Sequence, residues 1–282
     1  MIINHNISSI NAYKNISATD HKLSKSIEKL SSGLRINKAG DDAAGLAISE
    51  KMRSQIKGMD MAKRNCQDVV SLLQTAEGAL ESISDMLTRL KELAVQAGNG
   101  VYNDTDLSNI QLEVVEIIAQ IDIVATTTAF NGLTVLDGTY ATNGLNFQIG
   151  ITPSEAITVK VPDMQAAAIG TGTGNNTVGS IADIDISDTD LVQENLDAID
   201  AAIQDITSTR AIFGSVQNRA EYTMSNLATG AENMQAAESR IRDADIASEM
   251  SNFSKLNVLI QSGMSILAQS NQKTQHVLKL LQ

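Results

Sequence analysis

The chain has 282 residues, 43% of them hydrophobic, with one Cys, two Pro, no Trp and a formal net charge of −12. Length and apolar content allow a sizeable core and argue against wholesale disorder. The single Cys excludes a disulfide framework or cysteine-rich zinc module, and the scattered His5, His21 and His276 lack metal-ligand spacing. Acidity argues against general nucleic-acid binding. The charge is uneven: −3 over residues 1–122, −10 over 123–205 and +1 over 206–282. Pro153, Pro162 and 8 of the 18 glycines lie centrally, so two proline-free helical arms flank a short Gly/Thr-rich centre.

The first residues place Ile3, Ile7, Ile10 and Ile16 among Asn and Ser, followed by Leu23, Ile27, Leu30 and Leu34. Met1–Asn6 lacks the basic start and apolar core of a secretory signal. Residues 43–97 carry apolar side chains at spacings of three and four: Met52, Ile56, Met59, Cys66, Val70, Leu73, Leu80, Ile83, Leu87, Leu90, Ala94 and Ala97. That spacing predicts a coiled-coil-like helix, interrupted at Lys63 and Glu77 and slipping in phase near Ile83. Asp41-Asp42 supplies its cap, and Gly98 and Gly100 its stop. Cys66 lies on this stripe and reads as a small buried hydrophobe rather than a reactive thiol. A second helix fits 104–128, with Ile110, Val114, Ile117, Ile121, Val124 and Thr128 on one face and Asp104-Thr105-Asp106 as its cap.

Over 130–163 the period changes to two. Leu145, Phe147 and Ile149, then Ile157, Val159 and Val161, predict two short strands. Thr171–Asn176 reads as a surface loop without phosphate-binding context. The run 183–205 holds eight acids and no base, but lacks the glycine and terminal glutamate of a calcium loop. It reads as a solvated face entering a returning helix, capped by Ser187–Asp190 and striped by Val192, Leu196, Ile199, Ile203, Ile206, Arg210 and Phe213. The last helix, 245–281, is uncharged from Leu256 to Gln272, yet its Asn, Gln and Ser exclude a membrane span. Neither terminal segment has the apolar surface of a stable isolated helix, so both would gain by packing on each other and on neighbouring subunits. A helix over 43–97 would be about 80 Å long, too long for a compact ball of about 19 Å radius of gyration. The expected fold is mainly α: an elongated rod of antiparallel helices with a small β-hairpin region and paired N- and C-termini. No catalytic, cofactor-binding or metal constellation assembles.

Residues 29–53, KLSSGLRINKAGDDAAGLAISEKMR, resemble the amino-terminal signature of bacterial flagellins. LKELAVQA (90–97), Phe130-Asn131-Gly132, Ser215–Arg219, AAESRIRDADIASEM (236–250) and SNQKTQHVLKLLQ (270–282) resemble further blocks of that family, in order. The resemblance covers about 1–137 and 205–282. It departs from many relatives at Thr274, where they have proline, at Phe213 and Ser215, and in the short interval 164–188, where they carry outer domains.

The resemblance implies a structural subunit that polymerises into a flagellar filament for motility and is exported unfolded by the flagellar type III apparatus. The alternative is a hook–filament junction protein of related architecture. By family position, 1–32 and 245–282 would form an inner tube, 33–42 and 237–244 the spokes, and 43–236 a rod layer with its hairpin at 130–163. The implied polymerisation residues are Ile3, Ile7, Ile10, Leu23, Ile27, Leu256, Ile260, Leu267, Leu278 and Leu281. Implied partners are further copies of the same protein, the filament cap, junction proteins, an export chaperone on about 245–282, and a vertebrate innate receptor reading Arg89, Leu93 and Glu113. The expected location is the extracellular filament, or a periplasmic one in a spirochete.

Overall fold

The computed structural model describes residues 6–171, 179–187 and 191–280, with 274–280 given by backbone alone. Five helices dominate: α1 (Ile7–Ser32), α2 (Ala43–Ala97), α3 (Asp104–Thr127), α4 (Val192–Arg242) and α5 (Ile246–Leu280). Among the described residues, four short strands lie between α3 and α4: β1 (Ala129–Phe130), β2 (Leu133–Thr134), β3 (Leu145–Gln148) and β4 (Ala156–Val159). The mainly α class and the hairpin region are as the sequence predicts. At the start of α2, Asp42 Oδ1 accepts from Gly45 N at 2.9 Å. The cap of α3 differs from expectation. Asn103 is the N-cap, its side chain accepting from Asp106 N while Asp106 reaches back to Asn103 N, a reciprocal capping box. The cap assigned to Ser187–Asp190 falls largely outside the described residues, as does most of the loop Thr171–Asn176.

The protein divides into two compact units, residues 57–230 and residues 1–56 with 231–282. The first holds almost all of the core. Along one line of α2 the buried positions are Ala62, Cys66, Val69, Leu73, Ala76, Leu80, Ile83, Leu87, Leu90, Ala94 and Ala97, with Leu72 and Leu93 buried beside it. The line alternates four and three without a break, so the seam neither stops at Lys63 and Glu77 nor slips at Ile83. Ala62 and Ala76 fill the two apparent gaps, and Val69 rather than Val70 is the fully buried valine.

In α4 the matching line is Asn195, Ile199, Ala202, Ile206, Thr209 and Phe213, continuing through half-buried Val216 to Ala220. This corrects the predicted stripe, since Thr209 is buried and Arg210 is not. Glu77 lies beside the seam, 3.7 Å from the Arg210 guanidinium, and accepts from Gln217 Nε2 at 3.3 Å. With Lys91 paired to Asp200, these contacts run α2 and α4 antiparallel. Leu107, Val114, Ile121 and Ala125 of α3 complete the helical core. Cys66 is fully buried, and burial raises its thiol pKa, which suits packing rather than reactivity.

β1 and β2 form a two-residue hairpin whose turn, Asn131-Gly132, has positive φ at both positions (50° and 81°). β3 pairs antiparallel with β4, Leu145 opposite Val159 and Gln148 opposite Ala156. Ile149, Ile157, Val159 and Val161 face the core. The interval after the hairpin also enters it, burying Met164, Ala166, Ile169, Ile181, Ile184 and Ile186. Asp122 Oδ1 accepts from Ala166 N at 2.7 Å, and Asp205 Oδ2 from Gly170 N at 3.2 Å. Gln111 of α3 donates to Ile184 O and accepts from Ile186 N, while Asn195 of α4 donates to Asp185 O. These side chains supply the backbone partners that a neighbouring strand would otherwise provide.

The second unit consists of α1 and α5, the start of α2, the end of α4 and their connections. Leu34 bridges Asp243, Arg35 N donates to Arg242 O and Ala244 N to Gly33 O. α4 stays helical through 237–242, so the break before α5 is confined to Asp243–Asp245. Arg53 reaches Glu238 and Arg242 reaches Glu50, tying α2 to α4 within this unit. Ile36 is buried where the absence of a Cβ on Gly45 makes room, since one there would sit 2.8 Å from Ile36 Cδ1.

Candidate functional site

The helices α1 and α5 carry the residues assigned to polymerisation. They run antiparallel, with the Asn6 amide on Ser270, Ser9 Oγ donating to Asn271 and Ser26 Oγ donating to Glu249 Oε1 at 2.5 Å. Their Cα traces run within 8 Å of each other along a shared length. The facing side chains explain the close approach. Along α1 they are Ser9, Ala12, Ile16, Thr19, Leu23, Ser26 and Leu30; along α5, Glu249, Phe253, Leu256, Ile260, Gly263, Leu267 and Ser270. Both lines alternate three and four, and many members are small or polar. A Cβ on Gly263 would lie 2.8 Å from Ile16 Cγ1, so glycine lets the isoleucine seat against the opposite backbone.

Many large apolar side chains also sit on the outer faces of this pair. Ile7 is 61% exposed, Tyr13 68%, Val258 64% and Ile266 57%. Ile10, Ile27, Ile246, Met250, Leu259 and Met264 are exposed as well. Among all buried hydrophobic residues described, Ile36 and Leu256 alone belong to this unit. The seam mixes large apolar residues with small and polar ones, and a second set of large apolar side chains remains uncovered outside it. Such a surface costs free energy in water and gains it when covered, at about 25 cal/mol per Å² of apolar area.

The assigned residues therefore fall into three groups. Leu23, Leu256, Ile260 and Leu267 are buried or half-buried in the α1–α5 seam. Ile7, Ile10 and Ile27 face outward. Ile3, Leu281 and the side chain of Leu278 lie outside the described residues. Sequence reading missed Tyr13, Met250, Val258, Leu259, Met264 and Ile266. Their signal is legible once the seam line is known, because they are the large apolar residues left off it.

Arg89, Leu93 and Glu113 are brought together at one place in the other unit. Arg89 Nε donates to Glu113 Oε1 at 3.0 Å, and Arg89 also pairs with Glu92 at 3.0 Å. The hydrogen bond to Glu113, then that to Glu92, raises the Arg89 pKa. Both Arg89 and Glu113 are about half exposed, whereas Leu93 is 2% exposed and packs in the core. No described helix is long and apolar enough to cross a membrane.

Comparison with known proteins agrees with these features. Residues 3–141 match the bacterial flagellin N-terminal helical region, and residues 196–281 match the bacterial flagellin C-terminal helical region. The chain is 46% identical to a flagellin of Bacillus subtilis and 44% identical to the flagellar filament 33 kDa core protein of Treponema phagedenis, each covering 100% of both chains. A solved structure from Vibrio parahaemolyticus, described as a candidate flagellar hook-associated protein, aligns with TM-score 0.61 at 15% identity. It covers 72% of this chain and 100% of that one, a likeness of fold alone. With both helical regions matched and whole-length relatives at this identity, the chain belongs to the bacterial flagellin family.

Proposed function

We infer that this chain is the structural subunit of a flagellar filament, polymerising with copies of itself. The uncovered apolar face of the α1–α5 pair carries the reading. The seam is satisfied within the subunit, while Ile7, Ile10, Tyr13, Val258, Leu259 and Ile266 stay open to neighbours. Open helical polymers use such heterologous, non-closing surfaces. The uncharged run Leu256–Gln272 lets many copies pack without charge repulsion. Residues 1–32 and 245–282 are assigned to an inner tube, 33–42 and 237–244 to spokes, and 43–236 to a rod layer. The 46% identity to a flagellin over the whole length favours filament subunit over junction protein. The cap, junction proteins and an export chaperone on about 245–282 are proposed as its further partners, and the filament as external or, in a spirochete, periplasmic.

Removing residues 273–282 is expected to abolish seeded polymerisation, read by light scattering and electron microscopy. Filaments of normal length and stability from that variant would overturn the assignment.

We also propose that the Arg89–Glu113 pair is the surface an innate receptor reads, with Leu93 supporting it from the core. The depolymerised protein should activate a receptor-bearing reporter cell, and Arg89→Ala should weaken the response. Absence of any response to the unmodified protein refutes this.

A further inference from the structure

Three Asn-Gly dipeptides occur in the sequence: Asn99-Gly100, Asn131-Gly132 and Asn143-Gly144. Asparagine before glycine is the most labile backbone context in a protein. With no Cβ in the way, the glycine amide nitrogen can reach Cγ of the asparagine carboxamide. The three dipeptides are alike in that chemistry, and the fold makes them different.

Asn131-Gly132 is the turn of the β1–β2 hairpin, held with positive φ at both residues by the pairing of Phe130 with Leu133. Ring closure requires rotation about the Asn131 backbone, which would break that pairing. At Asn143-Gly144 the would-be nucleophile is engaged, because Gly144 N donates to Tyr140 O at 3.1 Å. Gly144 is also crowded: a Cβ there would lie 2.6 Å from Thr158 Cγ2.

Asn99-Gly100 is held by no strand pairing and its glycine amide is not engaged, although Asn99 O accepts from Val101 N and, at 3.4 Å, from Tyr102 N. The dipeptide lies in the connection between α2 and α3, both residues are exposed, and nothing lies within 4 Å of the Gly100 Cβ position. Among the described residues, the Gly100 amide donates to no acceptor. The neighbouring bonds leave it free: Asn99 N donates to Gln96 O, and Asn99 O accepts from Val101 N at 2.6 Å.

We propose that Asn99 is a site of spontaneous, age-dependent modification. The Gly100 nitrogen loses its proton to solvent and bonds to Asn99 Cγ. The bond between Asn99 Cγ and Nδ2 then breaks, and ammonia leaves after taking a proton from water. Water opens the resulting succinimide at either carbonyl, giving aspartate or isoaspartate at position 99. The net change is one water in and one ammonia out, with no oxidant or reductant.

The product has a structural consequence. It places a carboxylate beside the C-terminus of the 55-residue α2, where the helix dipole disfavours negative charge. The acidic first turn of α3, Asp104 and Asp106, follows closely. The last turn of α2 is therefore expected to loosen as the protein ages.

The full-length folded protein is incubated in buffer, digested, and mapped by mass spectrometry and isoaspartyl methylation. A parallel sample is incubated in denaturant. Folded protein is expected to accumulate isoaspartate several-fold faster at position 99 than at 131 or 143, while the denatured sample shows similar rates at all three. Gly100→Ala, whose Cβ meets open space, should slow the reaction at 99 without altering the circular dichroism. No product at 99 in the folded protein, or equal rates at the three sites in both samples, overturns the proposal.

Discussion

Glu249 occupies a seam position where an apolar residue would ordinarily sit, and Ser26, 2% exposed, donates to its carboxylate at 2.5 Å. That hydrogen bond first, then Asn252 and the positive charge of Lys29, hold the Glu249 carboxyl below its ordinary value of 4.5. A depressed carboxylate contributes stability that is present above the unfolded value. The contribution is lost as pH falls through the lower native value. The α1–α5 pairing should therefore weaken on acidification below about pH 4.5. Glu249→Gln keeps an acceptor for Ser26 but removes the titration. Thermal melts of the two proteins across the acid range should converge at low pH, and an unchanged pH dependence in the variant would refute the role. Ser26→Ala should cost roughly 1 kcal/mol at neutral pH, as expected for one partly solvated charge-assisted bond.

α2 shows how a seam is built from residues that do not look like one. Alanines at 62 and 76 keep the four–three alternation intact where the sequence displays Lys63 and Glu77. Small seam residues let facing side chains interdigitate at native density, so they are structural even though they bury little area. The expected mutational contrast is sharp. Leu80→Ala, at a position with no exposure, should cost about 2–5 kcal/mol by leaving a cavity. Lys63→Ala, off the seam, should stay within about 0.5 kcal/mol. Urea unfolding of both variants checks this, and comparable losses would mean that the seam runs through Lys63 after all.

Across the whole molecule, burial is divided unequally between the units. The 57–230 unit holds a core of helix, hairpin and residues of 164–170 and 180–186, whereas among the described residues the terminal unit buries Ile36 and Leu256 and little else that is apolar. A unit that hides so little apolar surface opens at low free-energy cost. In dilute full-length monomer, hydrogen exchange should be fast in α1 and α5 and slow in 62–97 and 195–220. On polymerisation, protection should rise chiefly in the terminal helices. Equal protection of both units in the monomer would contradict the dependence of the ends on neighbours.

Helix existence was legible in the sequence because periodicity is a local property: α2 begins and ends where capping and glycine signals place it, at Ala43 and Ala97. The β3–β4 pair and the antiparallel arms were legible for the same reason, whereas the two-residue β1–β2 pair was too short to show a period, and the terminal motifs carried family membership. Which line of each helix is buried was less so. Val69 and Val70 are equally apolar, and Thr209 is less apolar than Leu196. Only the partner helix decides that Val69 and Thr209 face inward. The outward apolar face of α1 and α5 and the quenching of Asn131-Gly132 and Asn143-Gly144 likewise arise from contacts between distant residues. Local periodicity, caps and motifs are enough to say where helices form, where the backbone turns and which family the protein belongs to. Tertiary structure decided which faces are satisfied within one subunit and which are left for another copy, because burial depends on what a side chain meets across space.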